Sequence, residues 1–296
     1  MSAARDRQGC ELSVVIPVYN PGPLLREQLA ALTQQRVEVG WEVVLADNGC
    51  TDGSLAAVQE LPTSFPLRVI DASARRGPSF ARNAGVAAAR GSWVAFCDSD
   101  DVVDREWLSR LWDARVLGEI VCGAWDVKAL NDTRELKARG GPDYGTALPD
   151  GPCGFLPYAP SCNVLLTRAL FDKLGGWDES LPYCEDVDLS WRAQLAGASL
   201  GFAADAVVKY RFRSSLPAMM RQIRRYKATE ALLFRRYRSR GARRPTFGEA
   251  FGRYWWLLSR APYLVLDRER RVLWFAIMAS VIGRLEGTLR YRVVYL

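Results

Sequence analysis

Short apolar runs and amphipathic stretches alternate along the first 130 residues. Leu12 to Ile16, Glu42 to Ala46, Leu67 to Ile70 and Trp93 to Cys97 have the length and composition of buried strands. Helical patterns lie among them at Leu24 to Gln35, Ser54 to Glu60, Ser79 to Ala89 and Trp107 to Val116. This alternation predicts an α/β fold, a mainly parallel sheet flanked by helices. Polar clusters then follow each strand: Pro17-Val18-Tyr19-Asn20, Asp47-Asn48-Gly49, Arg75-Arg76-Gly77 and Asp98-Ser99-Asp100-Asp101. The carboxyl ends of strands are where open α/β sheets bind ligands, so the four clusters mark one expected site.

Residues 128–160 are Gly/Pro-rich and aperiodic, which predicts a long loop beside that site. Order resumes with Asn163 to Phe171. Val187, Trp191 and Leu195 recur every fourth residue and predict a helix over Glu185 to Ala196. From about Ser214 the chain reads as helical, with Met219, Ile223, Tyr226, Leu233 and Tyr237 spaced among arginines.

Charge separates these regions. The chain of 296 residues carries a net charge of +7, yet residues 205–296 hold 21 basic and 6 acidic side chains, a local +15. The remainder is acidic, at −8. An acidic body is therefore joined to a basic tail, 214–296, suited to an anionic partner. The longest apolar run there, Val272 to Gly283, has 12 residues, short of the roughly 20 that a spanning helix needs. Trp and Tyr mixed with Arg suit a helix lying at an anionic membrane surface; packing on the body is the alternative. Lipid fits these Trp- and Leu-rich pieces better than nucleic acid, which is not expected as a partner. Met1 to Cys10 is polar and reads as no signal peptide, so a cytoplasmic, peripherally attached protein is expected.

There is no histidine. That excludes Ser-His-Asp and Cys-His nucleophiles, a histidine base and His-liganded zinc. Seven scattered cysteines without a C-x-x-C pair argue against a disulfide framework or a zinc site. Acid–base chemistry falls to carboxylates first. Asp98, Asp100 and Asp101 end an apolar strand, where several carboxylates are costly without compensating cations or donors. A divalent cation completed by substrate phosphates is one compensation. A helix cap is the other, and it accounts for Asp101 or Asp104 better than for the pair at 98 and 100.

Six ordered motifs carry a resemblance. They are Val15-Ile16-Pro17-Val18-Tyr19-Asn20, Ala46-Asp47-Asn48-Gly49-Cys50-Thr51-Asp52-Gly53-Ser54, Arg76-Gly77-Pro78-Ser79-Phe80-Ala81-Arg82-Asn83-Ala84-Gly85, Phe96-Cys97-Asp98-Ser99-Asp100-Asp101, Gly175-Gly176-Trp177-Asp178-Glu179 and Glu185-Asp186-Val187-Asp188-Leu189-Ser190-Trp191-Arg192. Over residues 12–213 the chain resembles the family 2 glycosyltransferases, which have the Rossmann-like GT-A fold. The resemblance implies inverting transfer from a nucleoside-diphosphate sugar (UDP, GDP or dTDP type) to a hydroxyl of a glycan or lipid-linked acceptor.

It further implies a catalytic domain over 1–213, with a donor half at 12–127 and an acceptor half at 161–213. Pro17, Tyr19, Asn20, Asp47, Asn48, Arg76, Arg82, Asn83, Asp98 and Ser99 would surround the nucleotide sugar. Asn83 could equally cap a turn. Asp100, with Asp98, would hold Mn²⁺ or Mg²⁺. The base matches Asp186, beside Glu185, in a first helical turn whose dipole favours an ionised carboxylate. Trp177 and Asp178 would lie on the acceptor side, although Trp177 after two glycines could also be core. Asp188, four residues before Arg192, reads as a surface ion pair. Relatives often place a metal-binding histidine after this helix; here Lys209, Arg211 and Arg213 stand there instead, as candidates for the diphosphate. A silent nucleotide-sugar binder and a nucleotidyltransferase are the rival readings.

Overall fold

The computed structural model describes residues 9–58, 62–132, 145–213 and 215–296. Its centre is an eight-stranded mixed sheet of order β3-β2-β1-β4-β7-β6-β8-β5. The strands are β1 Leu12–Val18, β2 Trp41–Asp47, β3 Leu67–Asp71, β4 Trp93–Phe96, β5 Val102–Val103, β6 Ile120–Asp126, β7 Val164–Thr167 and β8 Leu200–Lys209. The first four pair in parallel, as the alternating pattern predicts. β6 and β8 are also parallel, whereas β7 runs antiparallel to both its neighbours and β5 antiparallel to β8. The sheet is thus mixed, its parallel character concentrated in the N-terminal half. Val14, Val15 and Ile16 of β1 are fully buried, because helices cover the sheet on both faces.

α1 (Leu24–Leu32) buries a stripe of Leu25, Gln28, Leu29 and Leu32 on one face of the sheet. α2 (Pro78–Ala88) covers the other, and Gly85 brings it so close to β1 that a Cβ would collide with Val15. α3 (Trp107–Asp113) runs into a 3₁₀ turn at Ala114–Leu117. α4 (Arg168–Leu174) starts with Thr167 accepting from the Leu170 amide at 3.1 Å and ends at Gly175 in the left-handed region. α5 (Glu185–Leu195) follows Cys184, held at φ 60°.

β6 and β8 lose register between Gly123 and Ala124. Buried Asn163 fills the irregularity, donating to the Ala124 and Ala206 carbonyls at 2.6 and 2.8 Å and accepting from the Trp107 indole at 2.8 Å.

The basic segment is helical: α6 (Leu216–Tyr237), α7 (Phe247–Ser259), α8 (Tyr263–Leu266) and α9 (Arg268–Tyr291). α6 joins the body through a core that combines Leu181, Val187 and Trp191 with Ala231, Leu233, Tyr237 and Tyr295.

Three expectations are revised. The helix over Ser54 to Glu60 reduces to a 3₁₀ turn at Ala56–Val58, with 59–61 outside the described residues. The 128–160 loop is described only in part, 133–144 lying outside. The 12-residue apolar run belongs to a 24-residue helix, α9. Within it Arg270–Tyr291 is long and apolar enough, by length and composition, to cross a membrane.

Candidate active site

The four strand-end clusters do converge, and the loops there are built by their own side chains. Asp47 accepts from the Gly49 and Cys50 amides at 3.0 and 2.8 Å, turning the chain sharply after β2. Asn20, at φ 48°, accepts from the Thr51 amide at 2.8 Å and ties the β1 loop to that turn. Tyr19 stays half exposed, with the exposed Arg76 guanidinium 4.7 Å above its ring. Pro17 is partly covered at the end of β1.

Asn48 departs from its expected ligand role. It is buried, donating to the Ala72 and Arg75 carbonyls at 2.6 and 2.8 Å and accepting from the Gly77 amide at 2.8 Å. An amide saturated in this way shapes the Arg75–Gly77 loop instead of facing a ligand. Asn83 is similarly used: it bonds the Trp177 carbonyl and amide, both at 2.9 Å, and Glu179 at 2.8 Å. The turn-cap alternative is the one the geometry supports.

Arg82 is the hinge of the site. Its buried guanidinium donates to Asp98 at 2.8 Å and to Glu185 at 2.9 Å. Burial alone would ease its proton off, but the Asp98 and Glu185 charges overcome that and hold it charged. It therefore cross-links the two halves and is not an open nucleotide contact. Trp177 is core, packed edge-on to Phe96 at 5.2 Å and lying under Arg82 at 5.4 Å. Asp178 accepts from Ser180 and from Arg236 of α6 at 2.6 Å. Both line an open depression with Asn83 and Glu179, separate from the cavity that holds Asp186.

At the end of β4, buried Gln28 donates to the Asp98 carbonyl at 3.1 Å and accepts from the Val103 amide at 2.9 Å, so α1 clamps the acidic loop. Ser99 is buried. Asp101 is also buried: one oxygen accepts from the Arg211 amide at 2.8 Å, and the other has no partner among the described residues. Burial, then the charges of Asp98 and Asp100, raise its pKa well above the usual carboxylate range. Burial, then Asp98, also raise that of Asp100, against Arg213 at 3.6 Å.

Among the described residues no group of three or more Asp, Glu, Cys or His side chains forms a metal cluster. The chemistry of Asp98 and Asp100, two hard oxygen donors beside an orphaned Asp101 oxygen, fits Mg²⁺ or Mn²⁺ only when substrate oxygens complete the shell. Of the three cations expected at the diphosphate, Arg213 alone borders Asp100 with an exposed side chain. Arg211 is spent on the Asp100 carbonyl at 2.9 Å and Glu27 at 2.8 Å, and Lys209 faces Asp104 at 3.5 Å.

Asp186 and Asp98 line one cavity of about 480 Å³. Asp186 accepts from the Val187 and Ser161 amides at 2.8 and 3.3 Å. Those amides and Arg82 favour its charge, as the helix start predicts. Burial and the neighbouring Glu185 charge outweigh them, and its pKa is pushed up to about 7. Burial and Glu185 thus oppose the ionised state that the first helical turn favours. Cys184 precedes this turn in a left-handed conformation costly for a non-glycine residue. Asp188 is a correction too: its bond to Arg192 at 2.7 Å is real but buried, and the Tyr237 hydroxyl of α6 donates to it at 2.7 Å.

Several residues of this site carry no motif. Gln28 is foreshadowed only as a polar residue inside the apolar stripe of α1. Gln222, Ile223, Tyr226, Lys227 and Glu230 of α6 form a wall of the cavity, and nothing in their pattern distinguishes them from packing positions.

The glycosyl transferase family 2 model matches residues 13–175, and a second model, glycosyl transferase family group 2, matches 153–286. The pre-mycofactocin glycosyltransferase of Mycobacterium tuberculosis is 30% identical over 222 residues, 70% of this chain and 44% of that protein. Glycosyltransferase AglE of Haloferax volcanii is 33% identical over 208 residues, 66% of this chain and 65% of AglE. The chain spans under half the length of the first curated relatives it matches. Among solved structures, the mannosyltransferase PcManGT of Pyrobaculum calidifontis, in complex with GDP-Man and Mn²⁺, aligns at a TM-score of 0.61 and 17% identity, over 94% of this chain and 88% of that one. S. aureus TarS 1–349 in complex with UDP-GlcNAc aligns at 0.54 and 18%, over 96% and 92%. These likenesses carry the expected GT-A fold. On its six motifs, its fold and the family model that covers more than half of it, the chain belongs to the family 2 glycosyltransferases.

Proposed function

We propose that the chain transfers a sugar, with inversion, from a nucleoside-diphosphate donor to a hydroxyl of a glycan or lipid-linked acceptor, with Asp186 as base. The carrying observation is the shared cavity: Asp186 and Asp98 face the same space, where burial and then the Glu185 charge push the Asp186 pKa up. A base with its pKa near the working pH combines a useful unprotonated fraction with real proton affinity. The acceptor oxygen forms its bond to the anomeric carbon as the bond to the diphosphate breaks and the electron pair leaves with the phosphate. The hydroxyl proton passes to Asp186. One displacement inverts the centre.

Asp100 with Asp98 would hold Mg²⁺ or Mn²⁺, which would supply positive charge for the diphosphate. Arg213 adds to that charge from the protein. Tyr19, Arg76 and the Asp47 turn receive the nucleoside. UDP-GlcNAc bound by TarS and GDP-Man bound by PcManGT support a nucleotide-sugar donor. Tyr226 and Gln222 of α6, with Tyr158 and Ser161, form the acceptor's side of the cavity. In this reading residues 1–213 carry the donor site and the base, α6 closes the cavity over them, and the basic tail 214–296 holds the whole at an anionic membrane surface, on its cytoplasmic face.

Thermal shift with UDP, GDP and dTDP sugars, with and without Mn²⁺, tests donor binding. Asp186→Asn is expected to retain the shift and lose transfer. A variant that still transfers, or a wild type that binds donors and never turns over, refutes the assignment.

A further inference from the structure

α9 and α7 offer two routes to a membrane, and their packing separates them. α9 has the length to cross, but it is fastened to α6. Gly283 and Gly287 let it lie directly on the α6 backbone, where a side chain at either position would run into Arg224 or Ala228. Arg284 reaches buried Glu230 at 3.6 Å and lies over the Tyr295 ring at 5.1 Å, while Glu286 pairs with Arg224. Drawing α9 into hydrocarbon would carry Arg284 and Glu286 away from these partners and leave buried Glu230 with Lys227 as its one cation among these contacts.

α7 is in the opposite position. Its one fully buried residue is Ala250. Phe247, Phe251, Trp255 and Leu258 are 69%, 68%, 62% and 72% exposed. Spaced four, four and three residues apart, they form a single stripe about 80° wide on a regular helix. Val265, in the short α8 that follows, is 80% exposed. A capping box between Thr246 and Glu249 holds the start of α7 without outside help.

Arginines lie before and after this helix, and one of them, Arg244, stacks on the stripe itself. Arg238, Arg240, Arg243 and Arg244 are exposed just before α7. Arg244 lies over Phe247 at 5.4 Å, Arg260 over Trp256 at 5.5 Å and Arg270 over Tyr263 at 5.1 Å. Aromatic rings bordered by arginines match the boundary between lipid phosphates and acyl chains, and the +15 of residues 205–296 gives the sign of the lipid.

We propose that α7 lies in the plane of an anionic phospholipid bilayer. The Phe247–Phe251–Trp255–Leu258 stripe sits at the headgroup–acyl boundary, the flanking arginines sit on phosphates, and α9 stays on α6 without crossing. This rests on the reading of the tail as a membrane attachment and specifies its surface and depth.

The test uses the full chain with phosphatidylcholine vesicles, plain or with about a third phosphatidylglycerol. Sedimentation should favour the anionic vesicles at least tenfold. Phe251→Ser with Trp255→Ser should cost at least tenfold of that binding, and Arg243→Gln with Arg244→Gln should erase most of the lipid preference. Alkaline carbonate should release the protein. Retention through carbonate would mean that α9 spans. Undiminished binding by the serine variant, or a dimer in light scattering that this variant dissolves, would also overturn the proposal. Thermal shift with UDP, GDP and dTDP sugars, each with Mn²⁺, on the same samples separates the two readings. An unchanged shift in the serine variant confirms a folded site, and no shift in wild type would sink the transferase reading while leaving the vesicle result standing.

Discussion

Replacing Asp186 by Asn should make the protein more stable as pH rises, relative to wild type, while abolishing transfer. The folded-state pKa of Asp186 is pushed up from 3.8 to about 7, first by burial and then by Glu185. A carboxyl whose pKa is raised by folding stabilises the native state fully below its unfolded pKa. That stability is lost as pH climbs through the folded value. The window here runs from about pH 4 to about pH 7. A rise of about three units corresponds to roughly 4 kcal/mol at most. Because part of Asp186 faces the water of the cavity, screening reduces this to about 2 kcal/mol. Asn carries no charge in that window but loses one of the two acceptors now serving the Val187 and Ser161 amides, at about 1 kcal/mol. That loss is independent of pH, so the slope isolates the charge. For a chain of this length about 2 kcal/mol is worth roughly 3 °C in Tm. Melting curves of both proteins from about pH 4 to pH 8.5 should diverge by that amount, the Asp186→Asn variant gaining on wild type as pH rises. The other buried carboxylates, Asp100 and Asp101, are common to both proteins and cancel. Parallel Tm–pH curves, or a gap that closes as pH rises, would refute a base held near neutrality by burial.

Three further outcomes follow from named contacts. The rate of transfer at saturating donor should rise with pH to a plateau, with its midpoint near 7, and Glu185→Gln should move that midpoint down by about one unit; a stationary midpoint in stopped assays at constant ionic strength would count against the coupling. Arg82→Met should destabilise the fold by about 3–5 kcal/mol, because it strands Asp98 and Glu185 together, and urea unfolding of Arg82→Met alongside Arg82→Met/Glu185→Gln should recover part of the loss. Asn48→Ala, which removes three bonds to the Ala72–Gly77 segment, should cost about 2–3 kcal/mol in urea unfolding and weaken nucleotide binding in the same sample.

How far the chain declares itself depends on which force sets each feature. The parallel half of the sheet was legible because its strands are short, mainly apolar runs, with β1, β2 and β4 buried on both faces and only the edge strand β3 partly uncovered. The polar clusters fall where those runs end, and contacts join the first three of them. What the pattern could not carry was the direction of β7, which depends on a pairing between distant segments, or the use to which a polar side chain is put. Asn48 and Asn83 sit in the motifs beside Asp47 and Arg82, and only the geometry separates an amide spent on the backbone from a group left open to a ligand. Trp177 posed the same choice and is core.

The protonation of Asp186 exposes the deeper limit. First-turn placement argues for an ionised carboxylate, and the helix start does push that way through the Val187 amide. The opposing push is burial, created by a wall that the motifs do not contain. Ser161, Tyr226 and Glu230 close over the turn from outside the helix, and α6 is held there by Tyr237 on Asp188 and Arg236 on Asp178. The acidic residues that read as surface ion pair and acceptor platform are therefore the fasteners of the basic segment. The segment in turn buries the base and helps shape its pKa. Tyr237→Phe, which cuts one fastener 2.7 Å long without touching the cavity, should loosen that wall and move the pH midpoint of transfer toward the ordinary carboxylate range. If it costs stability yet leaves the midpoint at 7, then α6 only covers the catalytic body and Asp186 is tuned within α5 alone.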